Sequence, residues 1–227
     1  MTFEPITARI TLVLAALLVT AGPMSGTADA APAACAAGNP LQPTAELFAT
    51  DNTATITDPE DLRLRTRLEA FELRVDGIAL QHIALPVGST LVSGVFWSEE
   101  QQQATYERSR EFHLACVDAP DLHRIAEQVR TVFGQELVLT FEYLPQHASG
   151  VDAFTVEIPN VDVHRFRDTL AADPAVRERL VGGSVTESNT LVLVAALADL
   201  DLARRFVTDL GADWPGVVRY GDREFVG

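Results

Sequence analysis

Three side chains in the middle of the chain are of the types a reactive site needs. Residues 111–117 (EFHLACV) alternate, which puts His113 on the face opposite Phe112, Leu114 and Cys116. In residues 136–144 (ELVLTFEYL) Glu142 falls between Phe141 and Tyr143, and Glu157 falls between Val156 and Ile158. An imidazole between carboxylates can titrate near neutral pH, coordinate a divalent metal or receive a cationic ligand. His113, Glu142 and Glu157 are therefore the candidate catalytic residues, and His113 with Glu157 the candidate metal ligands. The competing reading is a solvated polar face on a half-buried antiparallel sheet, the ordinary state of such a surface.

A second pattern repeats. Asp121-Leu122-His123-Arg124 and Asp162-Val163-His164-Arg165 open two helices alike, and Asp201-Leu202-Ala203-Arg204 is a looser third copy. The interval is about forty residues, the mark of a structural repeat. An aspartate at the cap or in the first turn suits the helix dipole, so helix initiation accounts for the pattern. A paired His/Asp site is the sharper alternative.

Much chemistry is excluded. The seventeen Lys and Arg residues are all arginine. Without lysine there is no Schiff base, no pyridoxal attachment, no P-loop lysine and no Ser-x-x-Lys pair. No Gly-x-Gly-x-x-Gly, His-Glu-x-x-His or Cys-x-x-Cys occurs. Gly182-Gly183-Ser184 is not a nucleophile elbow, because Thr186 stands where the closing glycine belongs. No cofactor is expected. The net charge of −15 offers no basic tract, so neither nucleic acid nor anionic lipid is an expected partner.

The elements that must position these residues follow a leader. Arg9, the apolar run 10–21 and Ala28-Asp29-Ala30 have the layout of a secretory signal peptide cleaved near Ala30, and the run is too short to span a membrane. Residues 31–44 are an Ala/Pro-rich flexible lead-in, and residues 45–227 are one α+β domain with a sub-boundary near 86–90. In an exported chain, Cys35 and Cys116 suggest a disulfide. Two alternatives stand beside it: Cys116 as a small core residue, and a lipid anchor on Cys35, which lacks the usual leucine three positions before it.

Asp58-Pro59-Glu60-Asp61 starts a helix whose apolar face is Leu64, Leu68, Phe71, Val75 and Ile78. Ser98-Glu99-Glu100-Gln101 reads as a capping box for a polar helix running to Arg110. Residues 111–197 then read strand, helix, strand, strand, helix, strand, and 217–226 reads as a final hairpin. The order over 111–197 resembles the ferredoxin-like fold. It implies an α+β two-layer sandwich with helices on one side of a mostly antiparallel sheet, plus N- and C-terminal additions. In that arrangement the strands of His113 and Glu157 are neighbours, the strand of Glu142 flanks them, and all three side chains share the open face.

The function expected is that of an exported, non-catalytic binding or interaction domain for an unknown protein or small ligand. One alternative is an extracellular hydrolase or metal-dependent enzyme using the His/Glu cluster. Another is an inhibitor or chaperone-like partner of a secreted protease.

Overall fold

The computed structural model describes residues 41–51, 55–65 and 68–227. Eight strands close into a barrel: β1 (Ala45–Ala49), β2 (Leu85–Ser98), β3 (Gln103–Ala115), β4 (Val138–Tyr143), β5 (Ala153–Pro159), β6 (Gly182–Thr186), β7 (Thr190–Ala196) and β8 (Arg219–Val226). Their order around the barrel is β1-β3-β2-β6-β7-β5-β8-β4. The helices are α1 (Glu69–Gln81), α2 (Ala119–Phe133), α3 (Val163–Ala172), α4 (Pro174–Arg179) and α5 (Leu200–Asp209).

The expected two-layer, ferredoxin-like sandwich over 111–197 is not what the chain builds. The alternation of strands and helices occurs twice, with other boundaries: β1 to β4 with α1 and α2, then β5 to β8 with α3, α4 and α5. In each half the fourth strand lies beside the first, the first beside the third and the third beside the second. That leaves β2 and β4 as the edges of the first half, and they pair antiparallel with β6 and β8, the edges of the second. Closure removes every edge that would otherwise present unpaired N–H and C=O groups.

Residues 103–110 show why the helix expected there fails. Ser98 does cap a turn, with Gln101 N–H donating to Ser98 Oγ at 3.2 Å. The turn opens a hairpin instead, because β3 finds β2 to pair with along its whole length. The same i-to-i+3 bond serves a helix start and a strand turn equally well. At the C-terminus, Arg219–Val226 is one strand, not a hairpin. The apolar face Leu68, Phe71, Val75 and Ile78 is buried as its spacing requires, although the regular helix begins only at Glu69.

Register fixes inside and outside. Leu47 pairs with Phe112, and both pack under α1 and α2 against Val75, Ile125 and Val129. Phe154, Val156 and Ile158 pack under α3 and α5 against Phe166, Leu170 and Phe206. Each such side chain contributes about 2 kcal/mol by burial. With these faces turned to the helices, the alternate residues point into the lumen.

The expected Cys35–Cys116 bond falls in part outside the described residues. Cys35 lies outside them, and Cys116 is a buried residue that follows β3 with φ 61°. The expected signal peptide, its expected cleavage site and the expected lead-in as far as residue 40 also lie outside the described residues. No helix among the described residues is long and apolar enough to cross a membrane.

Candidate functional site

β1 reads Ala-Glu-Leu-Phe-Ala. Its small and aliphatic residues Ala45, Leu47 and Ala49 face the helices, so Glu46 has to enter the lumen. On β3 the same alternation carries Glu111 and His113 inward. The register sets Glu46 opposite His113, and Phe48 opposite Glu111. One ligand atom from each of Glu46, Glu111 and His113 lies within 4.8 Å of the other two. Glu46 is 2 % exposed and Glu111 4 %.

Neighbouring groups hold these side chains. The Tyr143 hydroxyl donates to Glu46 Oε1. His113 Nδ1 stands 3.8 Å from that oxygen, and Thr90 Oγ1 meets His113 Nε2 at 3.4 Å. Glu46 Oε2 is buried with no hydrogen-bond partner. On the other wall Arg219 donates to Glu157 Oε1 at 2.5 Å, with its guanidinium 5.9 Å from the Tyr143 ring centre. The space between is a cavity of about 610 Å³ lined by Glu46, His113, Tyr143, Glu157, Arg219 and Tyr220 among others.

The electrostatics follow from enclosure. Burial pushes the Glu46 carboxyl well above its ordinary range, the nearby Glu111 pushes it further, and Arg219 opposes both. Burial and then Glu157 push Glu111 up to about 7. Near neutral pH the pair therefore retains a proton. Burial lowers His113 below its ordinary value, Glu157 opposes this and Arg219 adds to it, which favours the neutral ring.

His113 and Glu157 line one cavity, but not as strand neighbours. β3 lies beside β1 and β2, and β5 beside β7 and β8, so the two side chains meet across the lumen. Glu142 is not with them. It pairs with Ala45, whose side chain faces the helices, and so lies outside. In β4 the apolar residues Leu139, Phe141 and Tyr143 face inward, the reverse of the expected phase, because a barrel has a partly apolar inside as well as an apolar underside to its helices. Glu46, Glu111 and Tyr143 are the site residues that sequence reasoning missed. The signal for Glu111 was its place two before His113 on an alternating strand. The signal for Glu46 was a lone carboxylate between Ala45 and Leu47.

The repeated Asp-x-His-Arg pattern starts helices. Asp118 caps α2 by accepting from Asp121 N–H, and Asp162 caps α3. His123 pairs with Glu224 on the surface. The copies at Asp121 and Asp201 occupy equivalent helices of the two halves, each with its Asp–Arg pair one turn apart.

No family model matches the chain, and no curated protein or solved structure matches it. Its chemistry is read from the lumen alone. One end presents two carboxyls, an imidazole and a phenol. A second cavity, about 480 Å³, is lined largely by apolar side chains such as Phe48, Phe96, Leu139, Val194 and Phe225, together with Glu107. Burial pushes Glu107 up, and the Ser109 hydroxyl partly offsets this.

Proposed function

We propose that this chain is a binding protein that holds a small, positively charged ligand in the Glu46/His113 end of its barrel. The observation that carries this reading is the burial of Glu46 and Glu111 together. Among the described residues neither forms an ion pair with an arginine, and Arg219, whose charge reaches both, is engaged with Glu157. Two carboxyls in a low-dielectric enclosure resist carrying two negative charges together and favour positive charge, whether a proton or a ligand that replaces it. A cavity of about 610 Å³ is ample for a small molecule or ion. The net charge of −15 also favours a cation over nucleic acid as partner.

The test is thermal denaturation of the purified chain at pH 7.5 with inorganic cations, organic ammonium ions and matched neutral and anionic compounds. Cations of at least one class are expected to raise the midpoint, and the Glu46→Gln/Glu111→Gln double variant is expected to lose that rise. A wild-type chain indifferent to every cation would sink the reading.

We also read the chain as acting outside the cytoplasm, on the strength of Arg9, the 10–21 apolar run and Ala28-Asp29-Ala30. N-terminal sequencing of the protein from the culture medium is expected to begin near Ala31. An intact Met1 on a cytoplasmic product would overturn this.

A further inference from the structure

From the donor set we propose that the cation is a divalent transition metal held by Glu46, Glu111 and His113. The inference rests on the cation-binding reading above and narrows it to one class. Two observations separate a metal from an ammonium ion. The first is the imidazole. An ammonium ion is satisfied by carboxylate oxygens alone and takes from a neutral ring nitrogen only one ordinary hydrogen bond, whereas a first-row metal of the Mn–Zn series favours imidazole nitrogen as a coordinating ligand beside carboxylate. The second is the orphaned oxygen. Glu46 Oε2 is buried without a hydrogen-bond partner, although Oε1 of the same carboxyl accepts from Tyr143. A buried acceptor left open beside an imidazole and a second carboxyl is a vacant ligand position.

The spacing suits the ion. Two ligand atoms on opposite sides of such a metal stand about 4 Å apart, twice a bond of roughly 2.1 Å. The three donors already lie within 4.8 Å of one another, so small side-chain adjustments close the set. The supporting groups are also in place. Thr90 occupies His113 Nε2 and leaves Nδ1 toward Glu46. Tyr143 fixes the turn of the Glu46 carboxyl. Outer partners of this kind orient metal-binding imidazoles and carboxylates. Glu157 lines the same cavity but is paired with Arg219, so it faces the metal's open side without being a ligand.

The test titrates the purified, EDTA-treated and dialysed chain calorimetrically with Co²⁺, Mn²⁺ and Zn²⁺, and separately with methylammonium. One divalent ion per chain is expected, with micromolar or tighter affinity. Bound Co²⁺ is expected to show the visible absorption of a nitrogen- and oxygen-coordinated site. His113→Ala and Glu111→Gln are each expected to weaken binding at least tenfold, while His123→Ala, on the outer surface, leaves it unchanged. The wild-type Co²⁺ spectrum decides the matter even if a variant fails to fold. Methylammonium binding without metal binding overturns the metal assignment and leaves the cation reading standing. Binding of neither, across the full cation series, overturns both. Metal binding that survives His113→Ala in a folded protein marks surface adsorption and overturns the site.

Discussion

Glu111 is a residue through which the lumen's electrostatics reach stability. Burial and then Glu157 push its carboxyl up to about 7, against 4.5 for the ordinary side chain. A raised folded value means the native state holds the proton more tightly than the unfolded one. That stabilisation is complete below about pH 4.5 and is lost as pH rises through about 7. Glu46, Glu157, His113 and Arg219 are the charged and titratable groups that face it. Glu111→Gln is therefore expected to stabilise the metal-free protein by on the order of 2 kcal/mol at pH 8 and to do little at pH 4.5. Urea unfolding of both proteins at the two pH values checks this, and an equal difference at both would refute it. The same substitution is expected to impair metal binding, so it separates a ligand from a merely structural side chain. Much of this scale was legible in the sequence. The period of two turned His113 and Glu157 away from the helices. It misplaced Glu142, because alternation gives the phase of a strand but not which apolar face meets helices and which meets the lumen.

At the scale of elements, the two seams carry the fold. Where β6 meets β2 and where β8 meets β4, the chain places Gly182 and Gly221. A Cβ on Gly182 would press on the Val95 carbonyl oxygen, and one on Gly221 on the Glu142 carbonyl oxygen and the Phe141 ring. Backbone cannot yield as a flexible side chain does, so Gly221→Ala is expected to cost about 3 kcal/mol. Gly216→Ala, with nothing within 4 Å of the added atom, is expected to be near neutral. Urea midpoints measure both, and equal midpoints would refute the seam argument. The helices were the most legible elements, since Leu122, Ile125 and Val129 on α2 keep a clean 3.6-residue period and Gly134 ends it in the left-handed region. β3 was the least legible: Ala104, Tyr106 and Arg108 alternate with Thr105, Glu107 and Ser109 in an apolar/polar contrast too weak to compete with a capping box.

For the whole molecule, closure makes stability a shared property. Trp97 on β2 is covered by Arg177 of α4, 4.4 Å from its ring centre, so a first-half residue reports on second-half packing. Trp214 packs near Phe154, 6.3 Å between ring centres. Denaturant unfolding followed by the two tryptophans and by backbone circular dichroism is expected to give one coincident transition. Separate transitions would mean that the halves unfold independently. This level was not legible at all, because nothing local in β2, β4, β6 or β8 says that another half exists to receive their edges.

The halves are joined covalently only by the stretch between β4 and β5, where Pro145, Gln146, His147, Ser149 and Gly150 are exposed. If that stretch were cut, the chain would become two different polypeptides, each offering edges that the other fits. Such fragments are expected to act as an obligate heterodimer, recovering the barrel at one-to-one stoichiometry and with concentration-dependent stability. Limited proteolysis followed by native mass spectrometry would show the nicked pair still travelling together.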